Sequence, residues 1–260
     1  MKKITPVSEG LNAFKLKFND HYLDEIRNSY HQNLEHLMSD KNNQHLFDGG
    51  VFFKEVVPHS SENYFLTSFG TQPLLWFSCN NKDTYNLFMR FFNHLDIHND
   101  LKELVDYDEN IIMYCGFFVI GNQATNVKWH VDYLADSSAY TLITPLFELD
   151  DEHGNLLYET KENTVGLYKY SMNEAIIFGE NFLHSTEPYE PSNNKRILLS
   201  LTFGTDKIKY WDSLKHTVGV QSKFIMLPCG HQLGTCSCIN TPTHNEQPSP
   251  NLKSSEMAPR

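Results

Sequence analysis

Near residue 111 the spacing of apolar positions along this chain changes. Upstream, in "NDHYLDEIRNSYHQNLEHLMSD" (19–40), Leu23, Ile26, Tyr30, Leu34 and Leu37 recur every three or four positions. That spacing predicts an amphipathic helix, with Asn19 or Asp20 available as its N-cap. "KDTYNLFMRFFNHLDIHNDLKELV" (82–105) repeats it through Leu87, Phe88, Phe91, Phe92 and Leu95 and predicts two helices or one that bends. Between these stretches, "GGVFFKEVV" and "PLLWFSC" predict short strands. From 111 onward come short β-branched or aromatic runs: "IIMYCGFFVI", "AYTLITPLFEL", "NLLYET", "TVGLYKY", "EAIIFG" and "RILLSLTFG". Turn-rich segments such as "DDEHGN" and "EPSNN" separate them, and strands at this spacing predict a sandwich, barrel or jelly roll.

The layout is therefore mainly β with flanking helices. An α-rich region with short strands spans 1–110, a β body 111–212, and a cysteine-containing segment 213–240. The polar, proline-containing stretch 241–260 is expected to be a disordered tail. With 260 residues and 30.2 kDa there is room for one large domain or two small ones. No internal repeat is visible.

Charge narrows the partners. Thirty-two acidic against 21 basic side chains give a net charge of −11, which repels a phosphate backbone at long range and disfavours nucleic acid. The same balance favours a neutral or cationic substrate. No window approaches 18 apolar residues and no signal-peptide stretch follows Met1, so the expectation is a soluble cytoplasmic protein that does not enter a membrane. Five cysteines, an odd number, fit reduced thiols, with Cys79 and Cys115 packing as small hydrophobes.

Candidate chemistry begins with "HVD", His130 and Asp132. A histidine and an aspartate at i and i+2 project from one face of a strand but diverge by roughly 200° on a helix. The same spacing at His94/Asp96 and His98/Asp100 falls in or beside the predicted helix 82–105. Only His130/Asp132, in the extended-looking "KWHVDY", is placed to share an ion. Fifty-two residues on, "ENFLH" delivers His184. Twelve further on, Arg196 opens a strand that is otherwise apolar and hydroxylic. Strand periodicity puts Arg196, Leu198, Ser200 and Thr202 on one face. A guanidinium entering a buried strand is costly unless it meets an anion, and its planar fork suits a carboxylate. A structural salt bridge is the alternative.

In this order and spacing, H-x-D, a distant His and then Arg resemble the Fe(II)/2-oxoglutarate-dependent oxygenases, over roughly residues 111–205. "AIIFGENFLHSTEPYEPSNNKRILLSLTF" is similar to that family's second-histidine segment. The resemblance implies a double-stranded β-helix (jelly roll, cupin-like) core preceded by an N-terminal helical region. It implies that His130, Asp132 and His184 bind Fe(II) as a facial triad and that Arg196 holds the distal carboxylate of 2-oxoglutarate. It also implies dioxygen as co-reactant and hydroxylation of a small molecule or amino-acid side chain, with release of succinate and carbon dioxide. Relatives that transfer halide lack the carboxylate, so an intact Asp132 points to hydroxylation, desaturation or a related oxidation. Many relatives carry a serine two residues after the arginine; here Leu198 stands there, and Ser200 and Thr202 follow. Tyr114, Thr141 and Thr144 are further candidates for the oxo acid. Residues 45–80 and 133–139 are candidates for substrate contact.

Two other readings compete: a cupin-like metalloenzyme that uses no oxo acid, and a non-catalytic β-helix binding module. Separately, "CGHQLGTCSC" offers Cys229, His231, Cys236 and Cys238. Cys₃His is an acceptable structural zinc set, although C-x-H-x₄-C-x-C does not match the familiar knuckles built from C-x₂-C pairs. Free thiols on a mobile segment, or an intramolecular disulfide, are the alternatives. Trp211 and Tyr210 read as core or lid residues.

Overall fold

The structure is a computed structural model that describes residues 3–40, 43, 46, 53–57, 63–68, 74–150 and 153–239. The tail expected over 241–260 and parts of the candidate stretch 45–80 lie outside the described residues. Among the described residues, twelve strands form two antiparallel sheets. They are β1 (Ile4–Pro6), β2 (Ala13–Lys17), β3 (Phe53–Val56), β4 (Tyr64–Ser68), β5 (Leu74–Cys79), β6 (Ile112–Gly121), β7 (Ala139–Pro145), β8 (Leu156–Glu159), β9 (Val165–Tyr168), β10 (Glu174–Phe178), β11 (His184–Thr186) and β12 (Arg196–Gly204). The large sheet runs β1-β2-β10-β7-β12-β6-β5-β4-β3 and the small one β11-β8-β9.

Period-2 patterning explains the layers. On β12 all nine residues are buried, so both faces are covered. Ile197, Leu199, Leu201 and Phe203 join Phe118, Ile120, Leu142 and Ile177 in the cluster beneath the helices. The helical cover consists of α1 (Asp24–Asn33), α2 (Glu35–Ser39), α3 (Lys82–Leu95) and α4 (His98–Leu101). Asn81 caps α3 by accepting from the Thr84 amide at 3.0 Å, and Asp96 ends it in a left-handed conformation (φ 48°). At Gly116 a Cβ would lie 2.5 Å from the Phe88 ring, so glycine lets α3 approach β6. On the other face of the large sheet, Ala13, Ile176 and Phe178 meet Leu156, Tyr158, Tyr168 and Phe182 from the small sheet and its connections. Two sheets enclosing an apolar interior make a jelly roll.

The N-terminal 110 residues contribute differently from the α-rich expectation. Strands β1 to β5 extend the large sheet on both sides, with β2 pairing β10 and β5 pairing β6, so the sheet crosses residue 110. Helices there are a thin outer layer. Strands β1, β2 and β4 and the short β11 carry too few alternating positions to stand out in the sequence. The helix expected over 19–40 begins as a 3₁₀ turn, Asp20–Leu23, and the stretch 82–105 divides into α3 and α4. Among the described residues, no helix is long and apolar enough to cross a membrane.

Candidate metal centre

His130 and His184 come together through the backbone. The two residues form an antiparallel bridge, each amide donating to the other's carbonyl at 3.0 Å. Their ring centroids are 4.3 Å apart. Asp132 Oδ1 lies 3.7 Å from His130 Nε2 and 3.8 Å from His184 Nε2. One donor atom from each of the three side chains lies within 4.8 Å of the others. The other H-x-D pairs do not assemble this way: His94 stacks on Tyr22, and Asp96 and Asp100 bond to Lys3.

Hydrogen bonding fixes which nitrogens face the centre. His130 Nδ1 bonds to the Lys128 carbonyl at 2.9 Å and His184 Nδ1 to the Phe182 carbonyl at 3.0 Å. A carbonyl only accepts, so Nδ1 carries the proton in each ring and Nε2 presents a lone pair. Asp132 Oδ2 accepts from Thr141 Oγ1 at 2.8 Å, leaving Oδ1 for the centre, and Thr217 Oγ1 donates to the Asp132 carbonyl at 2.8 Å. Two lone-pair nitrogens and a carboxylate oxygen thus converge without a proton among them. Such a set repels itself unless a cation sits between, so the donor chemistry fits a divalent metal. Two histidines and one carboxylate on one side leave positions open for small ligands.

Burial is graded. The His184 side chain is 6% exposed, Asp132 19% and His130 46%, so the centre lies at a mouth that opens past His130. Burial, with the neighbouring His130 second, pushes the His184 pKa down to about 4, against the opposing pull of Asp132. The loop after Asp132 is pinned from the segment leading to His184. Glu180 accepts from the amides of Asp136, Ser137 and Ser138 at 3.1, 2.7 and 2.5 Å, holding Asp136 and Ser138 at positive φ (62° and 49°).

Arg196 enters the interior face of β12, buried at 5% exposure. Its guanidinium carbon lies 5.2 Å from the Tyr170 ring centroid, and its Nε is buried without a hydrogen-bond partner, as is the Tyr170 hydroxyl. Among the described residues no carboxylate pairs with it, so the salt-bridge alternative finds no support there. Burial raises the Tyr170 pKa while the positive charge of Arg196 lowers it, and the same opposition acts on Tyr189.

The other candidates divide. Thr141, opposite Thr202 on β12, binds Asp132 and so supports the centre. Ser200, opposite Ile143 and Phe117, shares the interior face with Arg196. Thr202 is committed to Cys115 Sγ at 3.0 Å. Thr144 falls on the opposite face, because an odd step along a strand reverses direction, and its Oγ1 donates to the Glu174 carbonyl. Tyr114 commits its hydroxyl to the backbone. The register shift in the β6–β12 ladder falls beside it, and it packs with Trp211, Leu214 and Ile225 while donating to the Thr205 carbonyl at 2.8 Å. Sequence reasoning passed over Tyr170, Tyr189, Thr217 and Glu180. Only Tyr170 had a signal, the alternation of Tyr168 and Tyr170 in "GLYKY".

No family model matches the chain and no curated protein matches it in sequence. Solved structures do. The non-haem alpha-ketoglutarate-dependent epimerase SnoN from nogalamycin biosynthesis is 8% identical, with 75% of this chain and 78% of that one covered and a TM-score of 0.50. EvdO2 from Micromonospora carbonacea var. aurantiaca, complexed with 2-oxoglutarate, is 13% identical, covering 78% and 93%, at 0.47. A prolyl-4-hydroxylase from Pseudomonas putida is 11% identical, covering 75% and 94%, at 0.46. At such identities the likeness is one of fold, and the chain has the double-stranded β-helix fold shared with Fe(II)/2-oxoglutarate-dependent oxygenases.

Proposed function

We propose that this protein is a non-haem Fe(II)- and 2-oxoglutarate-dependent dioxygenase that hydroxylates a small molecule or an amino-acid side chain. The observation that carries the reading is the convergence of His130 Nε2, His184 Nε2 and Asp132 Oδ1, with Nδ1 protons directed away into backbone carbonyls. These three side chains would hold Fe(II). Bound there, iron with 2-oxoglutarate and dioxygen supplies oxidative decarboxylation to succinate and carbon dioxide, coupled to oxidation of a substrate C–H bond.

The chain's own residues orient the reactants. Thr141 fixes the Asp132 carboxylate, and the Lys128 and Phe182 carbonyls fix both imidazoles. Arg196, buried and lacking an anion among the described residues, would bind the distal carboxylate of the oxo acid, with the Tyr170 hydroxyl available as a second donor. This unpaired guanidinium favours an oxo-acid enzyme over a cupin-like metalloenzyme that needs none. Phe178 and Phe182, 4.6 and 5.6 Å from the His184 ring, line the inner side and exclude water. Substrate would enter past half-exposed His130, beside the loop that Glu180 pins.

The test is succinate formation from 2-oxoglutarate by protein loaded anaerobically with Fe(II) and then exposed to air, first without substrate and then across a panel of metabolites and peptides. Slow succinate release that vanishes in His184→Ala, and a metabolite that accelerates it, support the reading. Release equal in wild type and His184→Ala refutes it.

A further inference from the structure

Beyond the β body the chain builds a second constellation, remote in sequence from the first. Leu227 to Gly230 form a tight turn in which the Gly230 amide donates to the Leu227 carbonyl at 2.9 Å, with Pro228 at its second position, where a preset φ is favoured. Gly230 follows at φ 76°, a left-handed conformation suited to glycine. The Leu227 amide then donates to the His231 carbonyl at 2.8 Å and the Leu233 amide to the Ile225 carbonyl at 2.8 Å, closing a short hairpin. A second turn, Thr235 amide to Gln232 carbonyl at 3.1 Å with Gly234 at φ 90°, brings the chain back. Two turns thereby gather Cys229, His231, Cys236 and Cys238, and one donor atom from each lies within 4.8 Å of the others.

We propose that Cys229, His231, Cys236 and Cys238 form a structural zinc site. Zinc–sulfur bonds of about 2.3 Å and a zinc–nitrogen bond of about 2.05 Å give tetrahedral edges of about 3.8 Å between sulfurs and about 3.6 Å between sulfur and nitrogen. The structure has Cys229 Sγ to Cys236 Sγ at 3.4 Å and Cys236 Sγ to His231 Nδ1 at 3.6 Å. The Cys238 amide donates to Cys236 Sγ at 3.2 Å, the bond a metal-bound thiolate accepts best. With four protein donors the site is closed, which marks a structural ion rather than a catalytic one. Binding displaces the thiol protons to solvent, so the site strengthens as pH rises. Cys236 packs with Tyr114, Tyr133, Trp211 and Leu214, and Tyr133 directly follows Asp132. The ion would therefore staple the C-terminal segment against the wall behind the candidate centre, which explains how C-x-H-x₄-C-x-C serves despite its unfamiliar spacing.

The experiment measures zinc per chain by mass spectrometry in the full-length protein purified under reducing conditions, in a Cys236→Ser/Cys238→Ser variant, and in a His130→Ala/His184→Ala variant. The expected result is one zinc per chain in the wild type, retained without the histidines and lost without the cysteines. Cobalt substitution of the wild type should give intense thiolate-to-cobalt absorption in the near ultraviolet and visible bands of a tetrahedral ion. If the cysteine variant fails to fold, mercurial titration of the wild-type thiols should release stoichiometric zinc to a colorimetric indicator. Zinc that disappears with the histidine pair, cobalt without thiolate absorption, or a Cys229–Cys236 disulfide in protein alkylated directly in the lysate would each overturn the proposal. Because the histidine variant separates the two metals, failure here leaves the oxygenase reading standing, and failure of that reading leaves the zinc site standing.

Discussion

The Arg196 guanidinium carbon lies 5.2 Å from the centroid of the Tyr170 ring, and neither the Nε of one nor the hydroxyl of the other has a hydrogen-bond partner among the described residues. A buried charge left in that state is expensive. Replacing it with an apolar side chain of similar length should therefore not harm the empty fold. We predict that Arg196→Met has an apo melting temperature equal to or above wild type, while the stabilisation that wild type gains from 2-oxoglutarate disappears. The half-saturating oxo-acid concentration should rise by a factor of roughly 10² to several 10³, as expected when removing one partner of a buried charged pair costs about 3–5 kcal/mol. Thermal melts with and without 2-oxoglutarate, under metal without oxygen, measure both. A variant less stable in the apo form but unchanged in oxo-acid response would identify Arg196 as a structural residue.

Tyr170→Phe isolates the hydroxyl. The ring remains to face the guanidinium, so the variant keeps the cation–π contact and loses only an unpartnered O–H. A hydrogen bond to a charged group contributes about 1.5–3 kcal/mol, so the expected effect is a rise of about tenfold or more in the 2-oxoglutarate requirement with kcat little changed. An unaltered requirement shows that the hydroxyl does not reach the cosubstrate.

These two residues also show where the sequence was legible and where it was not. Arg196 stood out because β12 is otherwise apolar and hydroxylic, so a charge entering it is anomalous. The H-x-D pair could be sorted from its two helical counterparts because strand and helix periods differ. His184 joined them through order and spacing. Tyr170 lies just past β9, and its place opposite Arg196 depends on how the small sheet that holds the β8–β9 hairpin stacks on the large one, which no local pattern encodes. Tyr114 was a candidate through the resemblance alone, and the register shift near Thr202 and Phe203, which sets where its side chain packs, has no signature in the sequence. The large sheet was under-read because β1 and β2 are short, and their pairing with β10 brings together residues some 160 apart in sequence.

Thr141 tests how the carboxylate is held. Its Oγ1 donates to Asp132 Oδ2 at 2.8 Å from the adjacent strand, leaving the other oxygen free to face the imidazoles. Thr141→Val keeps the shape and removes the donor. Loss of such an orienting partner typically costs 10–100-fold in metal affinity, so anaerobic Fe(II) titration should show weakening of about that size. Excess Fe(II) should restore most of the activity. If affinity is unchanged, the hydroxyl is a packing feature and the carboxylate is oriented by its backbone alone.

The buried imidazole of His184 gives a pH signature to the metal-free protein. Its pKa in the fold is depressed to about 4 by burial and by His130, below the ordinary value of 6.5. Between those two pH values the unfolded chain binds a proton that the folded chain refuses. Stability therefore rises with pH across this window. The contribution is fully present above about 6.5, falls as the medium is acidified, and is exhausted once the folded form also protonates near 4. A divalent ion bound at Nε2 excludes the proton and should shift the acid limb downward. Urea unfolding of the apo protein at pH 7 and pH 5 should show a loss of stability that is smaller in His184→Gln, which has no proton to take up. Metal-loaded wild type should be more stable at both pH values yet lose at least as much between them, because the ion keeps the folded form unprotonated. Equal losses in wild type and His184→Gln would mean that the acid sensitivity arises elsewhere in the fold.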